Sequence, residues 1–456
     1  MTGFQHWRHR LSVPQFTVVT GLLVIAIGTM LMATPLCSTE AVGLWEALFT
    51  VTSAITVTGL SVINVSQELT LVGQVLLAGL ILTGGLGLMA ITTFLQGFVQ
   101  GRSGLRQRLD KGRALDEFGV GGIGPTFHQI LIIAAVVIGL GTLVLYIAGF
   151  TSIHGRGERL WAALFHCISA YNNAGFGLWA NNLEDYRSNG IVNLVIALLI
   201  VMGGIGWRVT NDIWLNRFRL RRIRRLSLHT RLVIRSTIAL ILIGAIGLLC
   251  TEQVATEALV ANLSWWDRIQ VALFQSVSTR TAGFNTIPLS TATLSDAGLL
   301  LMMGLMFIGA SPGGTGGGIK TTTFGALVAA TSSTLRGEEA VVVRNREIPS
   351  RVVLRAIGVA LASALFVLGM TLLLTLGTTT ESSRSFTFLE KLFTCVSAFG
   401  TVGLDVGVTA QLNRWGQAVL MIGMFVGRVG ILLLLSAIYG SRPPSRVGYP
   451  REEVYL

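Results

Sequence analysis

Apolar residues in this chain fall into long, nearly unbroken runs separated by short polar segments. A bilayer-spanning helix takes roughly 20 mainly apolar residues. Eight stretches meet that length, at about 15–35, 70–98, 127–150, 190–215, 233–251, 297–333 (interrupted), 352–376 and 416–440. Four shorter apolar segments, at about 43–54, 159–170, 266–278 and 387–398, fall short of a crossing. Each runs into a polar turn containing glycine, and irregular backbone at membrane depth is tolerated only where protein or a water-filled cavity surrounds it. The pattern therefore predicts four re-entrant helices among eight spans.

The short segments are related to one another. They read WEALFTVTSAITVTGL (Trp45 to Leu60), WAALFHCISAYNNAGF (Trp161 to Phe176), IQVALFQSVSTRTAGF (Ile269 to Phe284) and LEKLFTCVSAFGTVGL (Leu389 to Leu404), each with a Leu-Phe pair, small and hydroxyl residues, and a glycine followed by Leu or Phe. The glycines, Gly59, Gly175, Gly283 and Gly403, recur at intervals of 116, 108 and 120 positions. One such turn is commonplace, but four behind matched short helices mark a repeat. The expected fold is an all-α integral membrane protein of four fused helix, pore-loop, helix repeats in pseudo-fourfold arrangement around one central pore. The repeats are expected at 1–110, 111–225, 226–345 and 346–456, the last with a cytoplasmic C-terminal tail.

Composition agrees. Only 12% of the 456 residues are charged and 52% are hydrophobic, against about a quarter charged in an ordinary soluble domain. The net charge of +12 does not point to nucleic acid, because the basic residues sit in short blocks between apolar runs. Such blocks are Gly101 to Arg113, Asn216 to Arg235 and the cluster Arg336, Arg344, Arg346, Arg351 and Arg355. In an eight-span layout all of them, with both termini, fall on one side, which is cytoplasmic by the positive-inside rule. The opposite loops carry Glu184, Asp185, Glu252, Glu257 and Asp405. The first span runs past the usual length of a signal-peptide core and opens the repeat, so it is expected to stay in the mature protein. Cys37, Cys167, Cys250 and Cys395 have no metal-ligand spacing and read as small apolar side chains.

The turns carry the chemistry. A cation that leaves water loses its hydration, and rings of backbone carbonyls can replace that shell without net charge. Aiming successive carbonyls at one axis requires unusual backbone angles, which glycine permits. The candidate cation-binding filter is Thr56, Val57, Thr58 and Gly59; Asn172, Asn173, Ala174 and Gly175; Arg280, Thr281, Ala282 and Gly283; and Gly400, Thr401, Val402 and Gly403. The hydroxyls of Thr58, Thr281 and Thr401 could add ligands, and the Leu or Phe after each glycine would pack the turn from behind. Each short helix would point its partially negative C-terminal end at the centre, which favours a cation.

Two further features lie in the helices after the turns. Phe307 to Gly325, FIGASPGGTGGGIKTTTFG, cannot remain helical through Pro312 and its glycines. Ile319 before Lys320 rules out a nucleotide P-loop. We read the segment as a mobile plug, a gate made of Gly313, Gly314, Thr315, Gly316, Gly317, Gly318 and Lys320; the competing reading is a kinked packing site. The glycine pairs near Gly84 and Gly203 are milder, so the asymmetry is expected in the third repeat alone. Arg428 stands about twelve residues from either end of the last apolar run, too deep to reach water easily. We read it as an electrostatic barrier below the fourth turn, the alternative being a structural arginine bonded to backbone carbonyls of a neighbouring repeat. His166 near Ser169 lacks a third orienting group for nucleophilic catalysis and reads as a packing residue.

The turns ITVTGL, YNNAGF, TRTAGF and GTVGLD, the PGGTGGGIKT loop and the Gly427-Arg428 pair resemble the Trk/Ktr/HKT superfamily of potassium transporters over nearly the whole chain. Within it the resemblance is nearest the KtrB type of membrane subunit, since there is no room for the extra N-terminal helices of TrkH. The resemblance implies potassium (K+) uptake across the cytoplasmic (inner) membrane, often sodium-dependent with Na+ as activator. It also implies a homodimer in the lipid bilayer, and a cytosolic RCK-type ring subunit (KtrA-like) that binds nucleotide and controls the gate. The gate loop falls on Ala310 to Lys320 and the pore arginine on Arg428. No enzyme activity, nucleic-acid partner or organic cofactor in this chain is expected. The second turn, with Asn172, Asn173 and Ala174, lacks the hydroxyls of the first and departs from the potassium-channel signature, which leaves a less selective Na+/K+ channel open. An alternating-access transporter is the remaining alternative, although the four repeats share one polarity where inverted repeats would favour it. The stretch Arg217 to Arg235 is either a topology determinant or a docking surface for the cytosolic subunit or anionic headgroups.

Overall fold

The computed structural model describes residues 13–39, 42–85, 123–215, 226–254, 263–338, 340–343, 346–377 and 386–439. The end of the second span (86–98), the block Gly101 to Arg113, the arginines at 217–225, Arg344, Glu257 and the C-terminal tail lie outside the described residues. The described chain is helical apart from one two-residue antiparallel ladder, β1 (Val342–Val343) against β2 (Arg346–Glu347), with Val342 opposite Glu347.

The helices fall into four successive groups. The first holds α1 (Val13–Met32), α2 (Leu44–Thr56) and α3 (Leu71–Gly85). The second holds α4 (Ile123–Val144), which runs into a π-turn at Leu145–Gly149, then α5 (Arg156–Tyr171), α6 (Gly190–Gly204) and α7 (Trp207–Leu215). The third holds α8 (Leu228–Val254), α9 (Trp265–Ser278), α10 (Asp296–Phe307) and α11 (Thr321–Leu335). The fourth holds α12 (Ser350–Gly377), α13 (Phe388–Gly400), α14 (Arg414–Val429) and α15 (Ile431–Tyr439). The four short helices α2, α5, α9 and α13 match the expected re-entrant segments to within a few residues.

Side-chain caps set several helix starts. Thr387 and Glu390 close a capping box on α13: the Thr387 hydroxyl accepts from Glu390 N (3.3 Å) and the Glu390 carboxylate from Thr387 N (2.8 Å). Ser264 caps α9, Ser295 caps α10, and Asn413 caps α14.

α1, α4, α8 and α12 are long and apolar enough to cross a membrane, and the bent pair α6 and α7 makes a fifth candidate. Their outward faces carry exposed Leu22, Ile27, Leu140, Ile243, Ile246, Leu361 and Leu368. A belt of that size suits lipid rather than water.

Two of the expected spans, 190–215 and 416–440, are broken, and here the structure corrects the sequence reading. α6 and α7 are bent by 96° across Ile205–Gly206, where Gly206 has φ +84°. α14 stops at Gly430, φ +86°, before α15 resumes. The interruption is therefore not confined to the third group, and Arg428 lies in the last turn of α14 rather than in the middle of a continuous helix. Near Gly203 the helix breaks where the backbone of the loop 308–320 fills the gap, as described below.

Contacts between groups run in a closed circle. α3 packs on α5, α6 on α9, α10 on α13, and α14 on α2. Each helix after a turn thus leans on the short helix of the next group, and the last returns to the first. Two indole hydrogen bonds fasten this ring: Trp161 Nε1 donates to Gln74 Oε1 (2.7 Å) and Trp45 Nε1 to Gln417 Oε1 (2.6 Å).

Candidate permeation site

The four turns meet at one place. A Cβ built on Gly59 would stand 2.5 Å from the Ala174 carbonyl oxygen, and one on Gly175 would stand 2.9 Å from that of Ala282. A Cβ on Gly283 would run into the Val402 oxygen, and one on Gly403 into the Thr58 oxygen. First touches second, second third, third fourth, and fourth first. This is the same circular order as the helix packing, reached through different atoms.

The backbone alternates in hand within each turn. Gly59, Gly175, Gly283 and Gly403 have φ of +96°, +69°, +77° and +88°. Two residues before each, Val57, Asn173, Thr281 and Thr401 also have positive φ, at 57°, 58°, 79° and 49°. Among the described residues Asn182 is the one other non-glycine with that sign. Left-handed backbone is unfavourable for β-branched Val and Thr and costs on the order of 1–3 kcal/mol where the surroundings enforce it. The strain thus recurs at one position in all four turns. The sequence expectation assigned the unusual angles to the glycines and missed these residues, since nothing in Val or Thr advertises a left-handed backbone.

The short helices hold the turns from behind. Ser53 Oγ accepts from Gly59 N (3.0 Å) and Ser397 Oγ from Gly403 N (3.1 Å), while Ser278 Oγ donates to the Phe284 carbonyl. Leu60, Phe176, Phe284 and Leu404 are all buried. His166 stacks on Trp179 with ring centroids 4.3 Å apart, its Nδ1 2.8 Å from Ala162 O, and its Nε2 accepting from Leu178 N at 3.4 Å. That is a packed imidazole, as expected. Beside the second and third turns Asn182 Nδ2 donates to Gly175 O (3.3 Å), and Asn285 Nδ2 donates to Glu184 Oε1 (2.9 Å). Burial raises the Glu184 carboxyl above its ordinary range, and the Asn285 bond partly offsets this.

The threonine hydroxyls are engaged within the protein. Thr58 Oγ1 lies 2.8 Å from Thr56 Oγ1, Thr281 bonds the Asn173 carboxamide at 3.1 Å, and Thr401 Oγ1 accepts from Gly317 N at 2.9 Å. Arg280 extends to α8, where Nη1 reaches Thr237 O at 3.4 Å, so its guanidinium fastens the third turn to the first helix of its own group.

The loop from Ile308 to Lys320 lies against the turns. A Cβ on Gly316 would meet the Thr281 hydroxyl, and one on Gly317 the Thr401 hydroxyl, with the Gly427 oxygen 3.1 Å away. A bridge between Ile308 and Ile319 closes the loop at its base. It also fills the break between α6 and α7. Ser311 N donates to Gly204 O (3.0 Å), Thr315 N to Gly203 O (3.1 Å), and Trp207 N to Gly313 O (3.3 Å). Lys320 Nζ donates back to Gly316 O (2.8 Å). Arg428 donates to the carbonyls of Thr315 and Gly84 and, at 3.4 Å, to that of Gly85. The guanidinium therefore fastens the loop to the first group, the carbonyl-bound alternative weighed from sequence. The segment expected to be a mobile plug is held by hydrogen bonds to the second and fourth groups and, through Arg428, to the first.

Comparison with known proteins shows the family. The family model for the TrkH cation transport protein matches residues 5–439. Ktr system potassium uptake protein B of Bacillus subtilis (strain 168) is 34% identical over 98% of this chain and 97% of its own. Its Vibrio alginolyticus counterpart is 33% identical over 97% and 94%. Potassium/sodium uptake protein NtpJ of Enterococcus hirae is 31% identical over 98% of each. Among solved structures, the crystal structure of the potassium transporter TrkH from Vibrio parahaemolyticus superposes with a TM-score of 0.73 at 20% identity, covering 94% of this chain and 86% of that one. The chain, a membrane protein, belongs to the TrkH family of cation transport proteins, within which it is a homologue of the Ktr potassium uptake proteins.

Proposed function

We propose that the four turns form the selectivity filter of a channel-like potassium uptake protein, with four fused repeats around one pore. The observation that carries this reading is the circle of turn glycines, each excluded from carrying a Cβ by a carbonyl oxygen of the next turn. Carbonyls presented in a ring of this kind substitute for the water an alkali ion sheds. Alternating left-handed residues turn successive carbonyls to one side, and four helix C-termini add partial negative charge. The names of the relatives, which refer to potassium uptake, support the choice of ion.

The loop 308–320 with Arg428 and Lys320 acts as the gate in its closed form. Its hydrogen bonds to the second and fourth groups, and through Arg428 to the first, must break for an ion to pass. The arginine distribution supports both termini inside the cytoplasmic membrane, and the names of the relatives support uptake as the direction. Activation by Na+, a homodimer, and a cytosolic nucleotide-binding ring docked on the arginine-rich face complete the proposal. The second reading, weaker K+ over Na+ discrimination, is favoured by the amide-bearing second turn and by the printed name of NtpJ, which includes sodium.

The test is flux into liposomes containing the purified protein, comparing Rb+, K+ and Na+. Saturable Rb+ and K+ uptake that exceeds Na+ uptake supports a selective filter. Equal rates support the second reading, and absence of uptake of all three rejects both.

A further inference from the structure

The third turn carries a charge where the other three carry none. One residue before the left-handed position the other turns place Thr56, Asn172 and Gly400, and the third places Arg280. Arg280 is 8% exposed. Its Nη1 reaches Thr237 O, while its Nε has no hydrogen-bond partner among the described residues. Among those residues no carboxylate pairs with it either. A buried charge normally has a compensating partner, because leaving it unpaired is costly.

Arg280 lines a cavity between the end of α6, α8 and α9, with Ala310 of the loop 308–320 on its wall and room for about one water-sized occupant. Thr237 lines it too, 5% exposed, and its Oγ1 is a second buried polar atom with no partner. Much of the remaining wall is aliphatic, Ile200, Ile241 and Val277 among it. Both orphaned groups can donate: a guanidinium N–H has no acceptor capacity, and a hydroxyl rotates to suit its partner. A water accepting from both would turn its own two hydrogens toward aliphatic side chains. An acceptor that carries no hydrogens and one negative charge satisfies both donors and the arginine together.

We propose that this cavity binds a single chloride ion, held by Arg280 Nε and Thr237 Oγ1. Sulfate and phosphate, with four oxygens each, exceed the space. The position couples the ion to transport. Arg280 directly precedes Thr281 of the third turn, and Ser311, next to Ala310, donates to Gly204 O at the end of α6 (3.0 Å). The occupant therefore sits where the third turn, the second group and the loop 308–320 meet. Without it, an uncompensated positive charge stands beside the turns and opposes cation entry; with it, that charge is cancelled. This effect on transport rests on the proposed function, whereas binding itself does not.

The experiment measures the melting temperature of the purified protein in KCl, KBr and potassium gluconate at equal K+ concentration. Wild-type protein should melt about 2–4 °C higher in saturating KCl than in gluconate, with bromide acting as chloride does. Arg280→Gln and Thr237→Val should lose the shift, and Arg280→Lys, which keeps the charge without the Nε donor, should reduce it. If Arg280→Gln does not fold, Thr237→Val carries the test. Crystals grown in bromide should show an anomalous peak between Arg280 and Thr237. Equal melting in chloride and gluconate for wild type, or an undiminished shift in Thr237→Val, would overturn the proposal and leave the cavity to a water. In liposomes, the ratio of Rb+ uptake in chloride to that in gluconate, matched on both sides, should exceed one for wild type and fall to one for Arg280→Gln. A ratio of one in wild type would overturn the effect on transport, and absence of Rb+ uptake in both anions would instead count against the filter.

Discussion

Gly403→Ala is the sharpest probe of the closed circle of turns. Its φ of +88° is unfavourable for alanine, and its Cβ would be driven into the Thr58 carbonyl oxygen, with the Thr58 carbonyl carbon at 2.9 Å and Gly59 Cα at 3.0 Å. The obstacle is backbone, so no side chain can rotate aside. Gly407 provides a matched control four residues on: its φ is +86°, yet a Cβ there meets nothing within 4 Å. Both substitutions incur the left-handed penalty, and only Gly403→Ala also displaces a carbonyl. If that extra displacement amounts to about 1–3 kcal/mol in the conducting state, transport falls roughly 5- to 150-fold, since each 1.4 kcal/mol is a factor of ten. Rb+ uptake into liposomes should show that drop for Gly403→Ala with Rb+/Na+ preference reduced, and much less change for Gly407→Ala. Equal rates and preferences for the two variants would refute the argument, because the clash would then make no difference.

Deleting Gly313 to Gly317 removes the hydrogen bonds of the loop to Gly203 and Thr401 and should raise Rb+ flux; unchanged flux would reject the gate. Arg428→Ala removes charge-assisted bonds to Thr315, Gly84 and Gly85, worth about 1.5–3 kcal/mol each, so flux should rise while the protein still elutes as a folded species. Arg428→Lys keeps charge without the planar fork and should fall between, measured by the same uptake. Trp45→Phe leaves the buried Gln417 acceptor unpaired at a cost of about 1–3 kcal/mol; the melting temperature should drop, and adding Gln417→Leu should restore part of it.

Much of this arrangement was legible in the sequence, and the reasons differ by element. The four short helices could be found because each joins an apolar run too short to cross with a glycine at a repeating distance. The breaks at Gly206 and Gly430 were hidden, because a glycine in an apolar run interrupts a helix only when something else satisfies its free backbone groups. At Gly206 that partner is the loop 308–320, more than a hundred residues away. The left-handed Val57 and Thr401 were equally hidden, since their conformation is imposed by neighbouring turns against local preference. Arg428 was identified as out of place at its depth, but its carbonyl partners belong to other groups and carry no mark in its own segment.

Because all four quarters are consecutive parts of one polypeptide, the stoichiometry of the ring is fixed at synthesis. No mixed assemblies can arise, and a gene change alters one quadrant while sparing the other three. A channel assembled from identical subunits must repeat every substitution four times, so a lone hinge, a solitary amide pair or a single positive strap is closed to it.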